Sequence, residues 1–322
     1  MRLREYVPGP LRALGRRISD KFSPRYRSIG SAHDPYDRAA CESIAEKLFK
    51  SHEEEQPLGT VGRGRLILQL IEASWPTQHL AAEYFRNLER LLEARDRRTD
   101  PGQLLLGVGT GRSGSTSLTA LLATVEDSCC THENPPLVFW EAEHEQLQFH
   151  MKRFKLLTEY YSLVTDVSHY WLNAIDGVCE LFPESKVVGL CRDVDECAQS
   201  FMRLKGSGRG SSNHWAPYGN GIWSSHGWDP TYPTYSVPGF AKRDPDRAKY
   251  EMIARYIREY NAKLENVATR RPGQVMLVRT DNLNESGIQA KIFAFVGLNG
   301  RASKLNLNVR SVTDGESEKF RF

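Results

Sequence analysis

Leu104 to Leu122 reads LLLGVGTGRSGSTSLTALL: an apolar run, a turn of glycines and hydroxyls, and a second apolar stretch in immediate succession. Leu104 to Val108 is short and continuously apolar, the pattern of a strand buried on both faces. A helix is expected over 115–125. Between the two lies Gly109-Thr110-Gly111-Arg112-Ser113-Gly114-Ser115-Thr116. Its glycines at 109 and 114 let the backbone turn amides toward an anion, and the helix that follows adds the partial positive charge of its N-terminus.

The same alternation continues down the chain from Asp100, Pro101 and Gly102 onward. Strands are expected at Leu104 to Val108, Ser128 to Thr131, Leu163 to Val167, Lys186 to Cys191 and Val275 to Arg279. Helices are expected at about 115–125, 137–161, 170–182, 193–205, 246–268 and 286–296. Apolar strands separated by helices define an α/β fold, a parallel sheet of about five strands with crossover helices. This domain takes residues 101–322, and residues 1–100 form a helical N-terminal extension. In that extension Val7, Leu11, Leu14, Ile18 and Phe22 mark a basic amphipathic helix, followed by helical stretches at 34–56 and 64–96. Residues 206–243 break the alternation, with Trp215, Tyr218, Trp223, Trp228, Tyr232 and Tyr235 among glycines, serines and prolines. A loop of this length with so much aromatic area reads as a lid over a substrate, or as a segment packed onto its own domain.

With 322 residues, 40% hydrophobic and 26% charged, the chain is ordinary globular material, neither fibrous nor wholly disordered. The net charge of +3 is too small to announce a nucleic-acid partner. It is unevenly spread: residues 1–30 carry eight cations and two carboxylates, a net +6, which leaves −3 on the remainder. That basic helix suits a peripheral contact with an anionic membrane or acidic partner, or packing on its own domain with its arginines in water. The six cysteines show no CxxC pair and no histidine spacing suited to zinc, so reduced thiols and no metal are expected. No apolar run reaches 18 residues and the first residues lack an apolar signal core, so a cytoplasmic location is expected, with the membrane contact as its one qualification.

In nucleotide triphosphatases the residue after the second glycine of such a loop is a lysine; here it is Ser115, and the cation has moved to Arg112. Gly111 to Thr116 resembles the phosphosulfate loop of the sulfotransferases that use 3′-phosphoadenosine 5′-phosphosulfate (PAPS). A second element of that family, an arginine ending the fourth strand and a serine eight positions later, is matched by Arg192 and Ser200. The resemblance spans residues 104 to about 296. It implies that Arg112 touches the bridging oxygen of the donor, while Gly111, Ser113, Gly114, Ser115, Thr116 and nearby amides hold the 5′-phosphate and sulfonate. Arg192 and Ser200 would hold the 3′-phosphate, with PAP (adenosine 3′,5′-bisphosphate) as product and no divalent metal required.

An acceptor hydroxyl must lose its proton as sulfur arrives, so a base is needed near the loop. The second strand ends at Thr131-His132-Glu133. In the carbohydrate and protein-tyrosine branches of the family a glutamate at this place is the base, which points to Glu133, with His132 next. Asp166, in Asp166-Val167-Ser168-His169-Tyr170, is read as orienting a histidine, bonding a sugar hydroxyl, or capping the next helix. Ser117 stands where the cytosolic phenol and steroid branch has a tryptophan, and only Arg301, Lys304 and Arg310 are candidates for that branch's basic tail element. The affinity is therefore with the divergent bacterial, carbohydrate and tyrosyl-like branch.

The expected reaction is sulfuryl transfer to a hydroxyl of a carbohydrate, a glycolipid or another small hydroxylated metabolite. Two other classes share the loop. A kinase or triphosphatase would need the missing lysine and a metal-binding aspartate ending a strand. A catalytically silent PAP-binding protein would keep the fold and bind partners with its extension.

Overall fold

The computed structural model describes residues 92–133, 138–142, 144–205, 231–300 and 305, with 85, 86, 88–90, 216, 217 and 222–224. The basic helix, the stretch at 34–56, most of 64–96, Trp215, Tyr218, Trp228 and the tail cations Arg301, Lys304 and Arg310 lie outside the described residues. The elements in order are β1 (Gln103–Val108), α1 (Ser115–Leu122), β2 (Ser128–His132), α2 (His144–Thr158) and β3 (Leu163–Val167). A 3₁₀ turn over His169–Ala174 leads into α3 (Ile175–Leu181), β4 (Lys186–Cys191) and α4 (Val194–Lys205). Then come β5 (Ala216–Pro217), β6 (Ile222–Ser224), β7 (Thr234–Ser236), α5 (Pro245–Arg270), β8 (Val275–Arg279), a 3₁₀ turn over Thr280–Asn284 and α6 (Ser286–Phe295).

The main sheet has five strands in the order β2-β3-β1-β4-β8, all parallel. Its members are the five apolar runs of the sequence, three with the expected bounds and two longer by one residue. β1 is central, and Leu104, Leu105, Leu106 and Val108 are fully buried there. Leu105, Leu118, Leu121, Leu122, Val167, Leu190 and Val278 share one core cluster, each worth roughly 1.5–3 kcal/mol of burial.

Two facts of topology position the site. The chain leaves β1 for β2 and β3 on one side, then crosses to β4 on the other, so the connections after β1 and β4 diverge at the carboxyl edge of the sheet. Open α/β sheets bind ligands in such a crevice. The register places Val108 opposite Gly189, so Gly111 and Arg192, each three residues further on, leave the sheet side by side.

Helix boundaries differ more than strand boundaries. The stretch expected as a helix over 137–161 is helical only from His144 to Thr158, and Val138, Phe139 and Trp140 are buried outside it. The helix expected over 170–182 is divided into a 3₁₀ turn and α3; Ser168 caps the turn by accepting a hydrogen bond from the Tyr170 amide. β5, β6 and β7 form a small antiparallel sheet within the aromatic segment. Tyr232 and Tyr235 of that segment are buried: Tyr232 packs on Trp140 and shares a 2.6 Å hydrogen bond with the Tyr256 hydroxyl, while Tyr235 donates to Glu259.

Two compact units are present, one of residues 1–102, 133–138 and 142–161, the other of residues 103–132, 139–141 and 162–322. In the first, the described residues between 85 and 92 are helical; Phe85, Leu88 and Leu92 are buried, and Phe85 packs on Phe149 of α2. The second holds both sheets.

Candidate active site

The loop after β1 is held in a conformation that its sequence makes accessible. Gly114 has φ +90°, a left-handed value that glycine adopts without penalty. A Cβ on Gly111 would come 2.7 Å from the tip of the Phe201 ring of α4, so a side chain there would have to push that ring aside. Arg112 also has positive φ, +67°, which costs a non-glycine residue about 1 kcal/mol and must be sustained by its contacts. Those contacts are definite. Arg112 Nε donates to Ser200 Oγ at 3.0 Å, and the Arg112 carbonyl accepts from Arg192 Nη1 at 3.1 Å.

Three residues separated by 80 and 88 positions in sequence thus form one cluster. Ser200 is 7% exposed, and the Arg192 side chain 15%. The Nε and Nη2 edge of Arg192 lies 3.3 Å from Glu196 Oε2. Asn261 of α5 donates to the Arg192 carbonyl at 3.4 Å.

The hydroxyls of the loop do not all face the same way. Ser113 Oγ donates back to the Thr110 carbonyl at 2.6 Å, and both residues are buried, so this side chain shapes the turn and leaves outward bonding to the backbone. Ser115, half-buried at the start of α1, lies 2.9 Å from His132 Nε2. Thr116 is exposed in the first turn of α1. Glu133 follows His132 with φ +47° and is half-buried; it belongs to the first compact unit, His132 to the second.

Three supporting residues escaped the sequence reading. Thr280, just past β8, donates to the Ser113 and Cys191 carbonyls and ties the loop to β4. Cys197 of α4 donates to the Gly111 carbonyl at 3.4 Å and pairs with the Thr110 hydroxyl at 3.5 Å. Burial pushes its thiol up to about 11, so it acts as a neutral wedge between loop and helix. The third is Trp171, whose indole N–H donates to Asp166 Oδ2 at 2.7 Å while Thr131 donates to Oδ1 at 2.8 Å. Asp166 sits on β3, 2% exposed, with both oxygens engaged; the cap of the following turn is Ser168. Thr280 and Cys197 act across 167 and 86 residues, which local patterning does not show, whereas Trp171 acts across only five.

Among the described residues no group of three or more His, Cys, Asp or Glu side chains is placed to hold a metal ion. None of their helices is long and apolar enough to cross a membrane.

The loop after β1 thus lies at the carboxyl edge of the sheet, where Arg112, Arg192 and Ser200 converge. The sequence family described as Sulfotransferase domain matches residues 104–281, more than half of the chain, and the protein belongs to that family. It is a sulfotransferase. Similar solved structures include a sulfotransferase from Alicyclobacillus acidocaldarius, 13% identical over 67% of this chain and 88% of that one, with a TM-score of 0.37. Sulfotransferase STF1 from Mycobacterium tuberculosis H37Rv is 13% identical over 83% of this chain and 85% of that one, with a TM-score of 0.42. No curated protein matches the chain.

Proposed function

We propose that the enzyme moves the sulfuryl group of PAPS to a hydroxyl on a carbohydrate, a glycolipid or another hydroxylated small molecule, and that the crevice beyond β1 and β4 binds the donor. The observation that carries this reading is the convergence of Arg112, Arg192 and Ser200 beside the loop amides. A nucleotide with phosphates at both the 3′ and 5′ positions needs two separated anion seats. The loop and the start of α1 supply one; the Arg192 fork and Ser200 supply the other.

The chemistry asked of these residues is positioning and charge stabilisation. The acceptor oxygen forms a bond to sulfur as the bond from sulfur to the 5′-phosphate oxygen breaks, and negative charge collects on that leaving oxygen. Arg112 stabilises this charge. In the structure its guanidinium is anchored through Nε to Ser200. Gly111, Gly114, Ser115 and Thr116 present the α1 N-terminus to the 5′-phosphate and sulfonate, with Ser113 as the internal brace of the turn.

The proton of the acceptor goes to Glu133, which directly follows β2 with a positive φ, a sparsely populated conformation that recurs at catalytic positions. A second reading gives the proton to His132, because its Nε2 already touches Ser115 at the start of α1. The acceptor's cover is assigned to residues 206–243 for the aromatic content of Trp215, Tyr218, Trp223 and Trp228, since Tyr232 and Tyr235 pack onto the domain itself.

The direct test is to supply PAPS labelled in its sulfonate with an extract separated into lipid, glycan, small-molecule and protein fractions. Label is expected on a hydroxylated compound in the glycan, lipid or small-molecule fraction. Label confined to protein, or none transferred while PAP still binds, would contradict the acceptor assignment.

A further inference from the structure

In the structure the anion-binding edge of Arg192 is already engaged. Its Nη1 is committed to the Arg112 carbonyl at 3.1 Å, so the fork left for a ligand is the pair Nε and Nη2. Both of those nitrogens donate to one oxygen of Glu196, each at 3.3 Å. Glu196 is one helical turn beyond Arg192, and its side chain is 56% exposed against 15% for the arginine. Its backbone is fixed independently, since its amide donates to Asp193 Oδ1 at 3.0 Å in the cap of α4. The carboxylate can therefore leave the guanidinium without disturbing the helix.

We propose that Glu196 is an intramolecular occupant of the 3′-phosphate seat, a carboxylate that Arg192 exchanges for the ligand phosphate on each binding cycle. The inference rests on the assignment of Arg192 to that phosphate. Physical chemistry favours an exchange over a permanent pair. With its carboxylate partner in solvent and both contacts at 3.3 Å, the pair is worth on the order of 1 kcal/mol, so it orients the arginine without holding it against a doubly charged phosphate. Once displaced, the carboxylate stays near that phosphate, and the like-charge repulsion weakens both donor and product. Only ligands carrying a 3′-phosphate meet this penalty. Glu196 therefore sets how tightly PAP is retained after transfer, separately from the loop that grips the 5′ end.

The test measures PAP and 5′-AMP, which differ only by the 3′-phosphate, on the full chain by calorimetry at low ionic strength. Glu196→Gln keeps the shape and removes the charge; Glu196→Ala checks the same point without the amide. Both variants are expected to bind PAP about three- to tenfold more tightly than the parent, with 5′-AMP unchanged within about twofold. Added salt should shrink the difference. If PAP binding is unchanged or weaker in both variants while Arg192→Ala still loses PAP selectively, Glu196 is no competitor and this inference fails alone. If Arg192→Ala weakens PAP and 5′-AMP equally, the seat itself is misplaced and both readings fall.

Discussion

Arg112→Ala is expected to lower turnover on the order of 10²–10³-fold, the usual loss when one donor to a developing oxyanion is removed. PAPS affinity should fall far less, because the charge that Arg112 meets on the leaving oxygen develops only during the reaction. The structure gives this prediction a second part. Arg112 also donates to Ser200 and offers its carbonyl to Arg192. The carbonyl belongs to the backbone and survives the substitution; the bond to Ser200 does not. Arg112→Lys keeps the charge while giving up the Nε donor, so it should recover part of the turnover. Turnover within tenfold of the parent in Arg112→Ala would remove this residue from the chemistry.

The proton acceptor supplies the other large effect. Glu133→Gln should remove about 10²–10⁴-fold of the turnover while PAP binding stays near normal, since a general base acts on the acceptor and not on the nucleotide. His132→Asn is the paired experiment. If His132 only orients Ser115, its loss should show mainly in donor binding, through the disturbed start of α1. If the histidine is the base, the two profiles exchange: His132→Asn loses turnover and Glu133→Gln keeps it. Steady-state kinetics on both variants, with PAP affinity measured alongside, separates the two readings.

The strands were legible because a central parallel strand has to be apolar on both faces, and such runs stand out between glycines, prolines and charges. Leu163 to Val167 and Lys186 to Cys191 carry that mark at most positions, with Thr165, Asp166 and Lys186 as polar exceptions, and Val275 to Val278 carries it up to Arg279. Helix ends were less legible. Val138, Phe139 and Trp140 are as apolar as a buried helix face, yet Trp140 serves a tyrosine cluster with Tyr232, Tyr256 and Tyr260 that no periodicity announces. The loop and the Arg192 and Ser200 pair were visible as motifs, and strand pairing between β1 and β4 explains how residues so far apart in sequence meet. Asp166 shows where residue type misleads. A carboxylate before a turn resembles a cap, but here it points inward to Trp171 and Thr131, and the serine two positions later caps the turn. Thr280 and Cys197 brace the loop through contacts spanning 167 and 86 residues, a kind of information that local patterning does not carry.

The crevice beyond β1 and β4 is proposed to recognise a 3′-phosphate. Titrating PAP and 5′-AMP into the parent and into Arg192→Ala measures this most directly. The parent should prefer PAP on the order of 10²-fold, and the substitution should erase most of that preference while leaving 5′-AMP binding nearly intact. Equal affinity for the two nucleotides in the parent, or a preference that survives the loss of Arg192, would contradict it.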